Sequence, residues 1–233
     1  RPADVPTSKI RKVGVVGAGF MGAGIAYVTA NAGIEVVLVD RDQEAADKGK
    51  AYSHKLLSDQ IAKGRAKTAD RDALLARITA TPDYGALKGC DLVIEAVFED
   101  PKVKAEVITK IEAVVGPKCI FGSNTSTLPI TGLATHSVRP KQFIGVHFFS
   151  PVEKMLLVEI IMAKKTGKKA LTQQLIFIGP GEAQQIAAKL LAKYQEVGAK
   201  AWGGLKIEEI TRGMGNQQPR SVAPRSFTVT GMN

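Results

Sequence analysis

Arg11-Lys12-Val13-Gly14-Val15-Val16-Gly17-Ala18-Gly19-Phe20-Met21-Gly22 is the stretch that decides the fold. Residues 11–17 are a Val-rich apolar run closed by glycine, the pattern of a strand buried on both faces. Residues 20–32 are mostly small and predict a helix packed closely on that strand, with Gly33 as its C-cap. Between them lies a Gly-x-Gly-x-x-Gly loop. Gly17 permits the tight turn, Gly19 lets a pyrophosphate approach the backbone, and Gly22 lets helix and strand come together. The helix start then offers free N–H groups and a positive dipole end to phosphate. Phe20 and Met21 complete the expected dinucleotide loop. A second apolar strand, 35–40, ends in Asp40, 18 residues after Gly22. A carboxylate there binds both ribose hydroxyls and repels a 2′-phosphate, favouring NAD over NADP, a preference softened by Arg41. Without a ligand, the same loop is simply a glycine-rich turn that packs a helix on a sheet.

Working outward, strands and helices keep alternating. Helices are expected at 43–63, 70–77, 101–115 (with Pro101 at its start) and 128–134. Strands are expected at 78–80, 91–97, 119–122, 143–148 and 156–161. This order predicts an α/β, Rossmann-like, doubly wound and mostly parallel sheet. After Ala163 the pattern changes. Residues 164–170 (KKTGKKA) read as a solvated basic turn, 181–194 as one amphipathic helix, and the Gly-, Pro- and Arg-rich stretch from Gly213 as loop or disorder. The expected organisation is a linker over 1–8, a nucleotide-binding domain over 9–162 and a partly helical or disordered basic tail over 163–233.

The chain has 233 residues and a formal charge of +10. Residues 163–233 hold 11 of the 32 Lys and Arg but 4 of the 22 Asp and Glu, so most of the positive excess lies in the tail. Tyr194, Trp202 and Phe227 are too far apart there to form a base-stacking surface, so nucleic acid is not an expected partner. No long apolar run suggests a membrane span. Cys90 and Cys119 lack CxxC spacing or a nearby His, so they read as buried free thiols in a reducing compartment, with no metal site.

Three further segments are more specific than the fold: Ser123-Asn124-Thr125-Ser126-Thr127-Leu128, Phe143-Ile144-Gly145-Val146-His147-Phe148-Phe149-Ser150-Pro151-Val152, and Leu157-Val158-Glu159-Ile160-Ile161. With the glycine loop, they closely resemble the L-3-hydroxyacyl-CoA dehydrogenase family, over about residues 9–169. The wording is most similar to the dehydrogenase part of the multifunctional fatty-acid β-oxidation enzymes. The resemblance implies NAD-dependent oxidation of L-3-hydroxyacyl-CoA to 3-oxoacyl-CoA. It also implies an acyl-CoA substrate, a crotonase-like hydratase/isomerase domain before the linker-like start, and a homodimer. The implied location is cytoplasmic, or peroxisomal or mitochondrial in a eukaryote.

Residue by residue, the resemblance makes His147 the base that takes the 3-hydroxyl proton. An imidazole suits this, since its ordinary pKa lies near neutrality. Glu159 matches the acid that pairs with that His, and Ser126 the serine that hydrogen-bonds the substrate oxygen. Glu99, Lys104 and Ser150 match cofactor-site positions near the nicotinamide and its ribose, although by residue type Glu99 and Lys104 also suit a solvated helix start. Lys63 resembles a lysine that contacts coenzyme A, and is equally readable as a plain surface lysine. His54 and His136 lie in polar segments and are expected to face solvent.

The resemblance stops after residue 169. The family continues with an Asp-x-x-Gly-Phe-x-x-Asn-Arg-like motif and a helical domain that closes over the acyl-CoA. Here there is no Asn between Asn124 and Asn216, and Val197 stands at the naive spacing of the family's Asn. NAD binding is therefore a firmer expectation than turnover by this chain alone. The alternative is a non-catalytic NAD-binding module. A free-acid member of the wider β-hydroxyacid dehydrogenase group shares the glycine loop, but the HFFSPV and SNTSTLP segments favour the CoA family.

Overall fold

Alternate residues of each central strand feed two different apolar clusters. Val13, Val15, Val36, Leu38, Leu92 and Ile94 pack into one cluster, while Val16, Val37, Val39 and Val93 pack into the other. Successive side chains of a strand point to opposite faces, so continuous Val/Ile/Leu runs produce a sheet covered on both sides. The computed structural model describes residues 9–155, 157–172 and 226–230.

The strands are β1 (Lys12–Val16), β2 (Glu35–Val39), β3 (Ile78–Thr81), β4 (Leu92–Glu95), β5 (Ile120–Ser123), β6 (Phe143–Phe148), β7 (Leu157–Met162) and β8 (Ser226–Thr230). The helices are α1 (Phe20–Asn31), α2 (Gln43–Ala62), α3 (Thr68–Ala76), α4 (Pro101–Val114) and α5 (Ile130–Leu133). The sheet order is β3-β2-β1-β4-β5-β6-β7-β8. Neighbouring strands are parallel except at β6–β7, which pair antiparallel. Strand order reverses between β1 and β4, and this switch point opens a crevice at the carboxyl ends of the strands.

Local chemistry sets the helix starts. The Asp42 side chain accepts from the N–H of Ala45 at 2.8 Å and begins α2. Asp100 accepts from the N–H groups of Lys102 and Val103 and, with Pro101 in the first turn, begins α4. These bonds satisfy donors that a helix N-terminus leaves free.

The doubly wound, mostly parallel sheet is present as expected. Some boundaries differ. The run 91–97 forms a strand only over Leu92–Glu95, because the chain must turn beneath the glycine loop: the N–H of Ala96 donates to Val16 O at 2.7 Å. Residues 168–172 are helical and Ala170, Leu171 and Thr172 are buried, so the basic run 164–170 is not solvated throughout. Residues 226–230, expected as loop or disorder, form β8 and pair in parallel with β7, an open strand edge that a Ser-Phe-Thr-Val-Thr segment suits. The amphipathic segment 181–194 lies outside the described residues.

Cys90 and Cys119 are free and buried. Burial pushes the Cys90 thiol up to about 11 and the Cys119 thiol up to about 12, so both stay protonated at neutral pH. Both His54 and His136 are exposed, as expected. Among the described residues, no helix is long and apolar enough to cross a membrane.

Candidate active site

The glycine loop connects β1 to α1 at the switch point. Gly17 has φ +95°, a backbone region that side chains disfavour, and its N–H donates to Val39 O at 2.8 Å. A Cβ on Gly22 would lie 1.6 Å from the Gly17 carbonyl oxygen, so only glycine lets α1 start there. A Cβ on Gly19 would meet nothing within 4 Å. The loop is thus packed from behind at Gly17 and Gly22 and open in front at Gly19. An open backbone at a helix start fits a dinucleotide pyrophosphate.

Asp40 lies just past β2 at the edge of this loop. Its Oδ2 accepts from the Ala18 N–H at 2.6 Å and its Oδ1 from the Arg41 N–H at 2.7 Å. The carboxylate is therefore fixed beside the loop, where a ribose would follow the pyrophosphate. Arg41 turns away to pair with Asp42 at 3.1 Å. Phe20 is exposed and its ring meets Tyr52 of α2 edge-on, with centroids 5.9 Å apart. Tyr52 in turn donates to Glu153 at 3.0 Å, tying α2 to the segment after β6; burial, then that carboxylate, pushes the phenol up to about 12.

A pocket of about 320 Å³ opens beside the loop at the ends of β1, β4, β5 and β6. Met21, Glu99, Ser126, His147 and Ser150 line it together with Ala96, Val97, Asn124, Phe148 and Phe149. Five residues separated by up to 129 positions in sequence thus meet in one cavity. His147 is on β6, directly opposite Glu159 on β7, and its Nδ1 lies 2.8 Å from Glu159 Oε2. Neither is fully buried: their side chains are 17% and 25% exposed. The Phe149 ring flanks the imidazole at 4.6 Å. Because Nδ1 is engaged by the carboxylate, Nε2 is the nitrogen left for chemistry.

Glu99 forms the opposite wall. Its Oε1 accepts from the Thr125 hydroxyl and from the N–H groups of Ser126 at 2.9 Å and Thr127 at 3.0 Å. Burial alone would raise this carboxyl, but these donors and the Lys104 ammonium outweigh it and hold it down at about 2. Lys104 itself is fully buried and bonds both Glu95 and Glu99. Glu99 and Lys104 are therefore not a solvated pair, and Lys104 does not line the pocket. Lys63 caps the end of α2 and is exposed at the α2–α3 turn, away from the pocket-lining residues.

Two participants were not singled out from sequence. Asn124 Oδ1 accepts from the Phe148 N–H at 2.8 Å, which orients its amide, and the residue lines the pocket. Glu95 is a buried acid at the end of β4 that bonds Lys104, Ser123 and the Val97 N–H. The available signal for Glu95 was an acid inside an apolar strand, the same feature that marked Glu159.

Residues 12–189 match the family described as 3-hydroxyacyl-CoA dehydrogenase, NAD binding domain. The chain belongs to this family. It is 45% identical over 164 residues to the fatty acid oxidation complex subunit alpha of Idiomarina loihiensis, covering 70% of this chain and 23% of that protein. Among solved structures, it resembles (S)-3-hydroxybutyryl-CoA dehydrogenase from Ralstonia eutropha with 42% identity and a TM-score of 0.68, over 70% of this chain and 57% of that one. It also resembles the dehydrogenase part of multifunctional enzyme 1 from C. elegans with 26% identity and a TM-score of 0.68, over 92% of this chain and 52% of that one. The chain thus spans about a quarter of the length of the first relative and little more than half of the others. Membership in the family makes NAD the cofactor that the open Gly19 backbone and the fixed Asp40 carboxylate suit.

Proposed function

We propose that this chain serves NAD-dependent oxidation of L-3-hydroxyacyl-CoA to 3-oxoacyl-CoA in fatty-acid β-oxidation. The observation that carries the reading is the His147–Glu159 pair, at 2.8 Å, in the same pocket as Ser126 and beside the glycine loop. Bound along Gly17–Gly22 and Asp40, NAD supplies the hydride acceptor. His147 Nε2 takes the proton of the 3-hydroxyl as the C3–H bond breaks and the C3–O bond becomes a carbonyl. Glu159 holds the ring by Nδ1 and stabilises the imidazolium that forms. Ser126 orients the substrate oxygen, and Ser150 and Glu99 border the nicotinamide end.

Lys63, on the α2–α3 turn, is proposed to meet a phosphate of coenzyme A as a mobile point charge. In this reading residues 1–8 are a linker that follows a crotonase-like domain and residues 9–162 bind the nucleotide, while Ala170 and Leu171 pack in the same core and Ser226–Thr230 in the same sheet. The working enzyme is a homodimer. The two buried free thiols support a reducing compartment such as the cytoplasm, or the peroxisome or mitochondrion of a eukaryote.

The test pairs NADH fluorescence binding with oxidation of 3-hydroxybutyryl-CoA by NAD. The expected result is that His147→Ala retains NADH binding and loses oxidation. Unaltered oxidation in that variant, or no NADH binding by the parent chain, overturns the reading. A non-catalytic NAD-binding module would bind NADH and show no His147-dependent chemistry.

A further inference from the structure

The end of the sheet opposite the pocket is strongly basic. The pocket opens at the carboxyl ends of β1, β4, β5 and β6, so the amino ends of those strands, with the end of antiparallel β7, form the far edge. Exposed cations stand there strand by strand. Lys9 and Arg11 precede β1, Lys88 precedes β4 and Lys118 precedes β5. Lys141 precedes β6, and Lys164 and Lys165 follow β7. The turns that carry them are tied into one surface. Lys12 Nζ donates to Ala86 O and Lys88 O, Gln142 Nε2 donates to Pro117 O at 3.1 Å, and the Gly167 N–H donates to Lys141 O at 2.8 Å. With neighbouring strands about 4.8 Å apart, the edge from β1 to β7 is about 19 Å wide.

Two acids of these turns are engaged inside the fold. Asp91 accepts from the Arg11 and Lys12 N–H groups, and Glu112 from the Ser137 hydroxyl and the Val138 N–H. Glu35, at the start of β2, lies at the margin. The carboxyl ends of the strands carry acids instead, among them Asp40, Asp42, Glu99 and Asp100. Val138 projects from the basic edge. Its N–H is held by Glu112, and its side chain is 81% exposed, more than any other large apolar side chain among the described residues.

We propose that this edge is a docking surface for an anionic lipid bilayer, held by the lysine ammonium groups with Val138 among them. The proposal does not depend on the dehydrogenase reading of the pocket. A broad field of lysine point charges suits a diffuse anionic surface. Arg139, whose planar guanidinium could grip a single phosphate, instead donates to Glu112 O and Gly116 O inside the fold. No aromatic residue stands at 9–11, 88–91, 116–119, 136–142 or 163–169 to stack on bases, which separates this edge from a nucleic-acid surface. Adsorption through such a face needs no membrane-crossing helix, and it leaves the pocket directed away from the bilayer.

The experiment sediments the chain with vesicles of phosphatidylcholine alone or of phosphatidylcholine mixed with phosphatidylglycerol. The expected result is binding to the mixed vesicles and none to phosphatidylcholine. Raising salt from about 0.1 M to about 1 M shortens the screening length from about 10 Å to about 3 Å and should release the chain. Lys141→Gln/Lys164→Gln/Lys165→Gln should weaken partitioning about a hundredfold, or about fivefold for each lysine. Lys48→Gln/Lys55→Gln/Lys102→Gln removes the same charge from α2 and the start of α4, and should change partitioning less than about threefold. Thermal melts check that both variants are folded. No binding to the mixed vesicles, equal binding to both kinds of vesicle, or an equal loss in the two triple variants overturns the proposal. Tighter binding of a DNA duplex than of the mixed vesicles, lost in the first triple variant, would make the edge a nucleic-acid surface and overturns it as well.

Discussion

His147 and Glu159 occupy opposed positions on antiparallel β6 and β7, and the imidazole Nδ1 lies 2.8 Å from the carboxylate. Cross-strand pairs are the closest side-chain neighbours a sheet offers, so a connection with eleven intervening residues brings the two side chains together. Exchanging Glu159 for Gln keeps the shape but removes the charge that stabilises the imidazolium. Oxidation of 3-hydroxybutyryl-CoA should fall in both Glu159→Gln and His147→Gln, on the order of 10²- to 10⁴-fold for the histidine. NADH affinity should change by less than about threefold, since neither group belongs to the glycine loop. Steady-state rates beside NADH titrations check both halves; a large loss of NADH affinity would count against the assignment.

Gly19 and Gly22 should respond differently to the same added methyl. Gly22→Ala puts a Cβ 1.6 Å from Gly17 O, and α1 must shift to accept it. Such overpacking costs about 1 to 3 kcal/mol or more, and a lowered Tm should accompany lost NADH binding. Gly19→Ala adds its Cβ to open space at an extended backbone position, so Tm should stay within about 0.5 kcal/mol of the parent in stability. NADH binding should still weaken, because the methyl stands where the pyrophosphate approaches. Calorimetry and NADH titration of the two variants separate the effects.

Asp40 is fixed by the Ala18 and Arg41 N–H groups, so its charge cannot swing away from a 2′-phosphate. Asp40→Ser should reduce the preference for NADH over NADPH by at least about tenfold, the effect of removing roughly 1.4 kcal/mol of discrimination. Arg41, now paired with Asp42, is free to turn toward the phosphate. Competitive titration with the two reduced cofactors gives the ratio directly, and an unchanged ratio would show that Asp40 does not contact the ribose.

Glu99 links the site to acid stability. Its carboxyl is held near 2 in the folded chain, against an ordinary value of 4.5. On acidification the unfolded chain therefore takes up this proton first. The stabilisation is complete above about pH 4.5 and is lost as pH falls toward the folded value. Glu99→Gln has no such dependence, so its Tm should decline less steeply than the parent's between about pH 5 and 3. Parallel thermal melts across that range test the slope; identical slopes would show that the hydrogen bonds to Thr125, Ser126 and Thr127 do not persist in solution.

The alternation of Val-rich strands with helices, the glycine loop and Asp40 were all legible in the linear order of residues. Each depends on local periodicity or on a turn that only glycine can make, and such properties belong to a few consecutive residues. His147 and Glu159 were legible only through the family resemblance of their segments, and their cross-strand pairing came from the fold. Tertiary structure decided what burial and long-range pairing control. It ended β4 at Glu95, buried Lys104 between two acids, gave Asn124 its place against Phe148, and set β8 beside β7 where the local composition suggested no regular element. A lysine at the start of a helix looks solvated until the fold surrounds it with carboxylates from β4 and the loop after it. Those partners come from the same β4–loop–α4 segment, and they meet because the chain turns back from the end of β4 into α4.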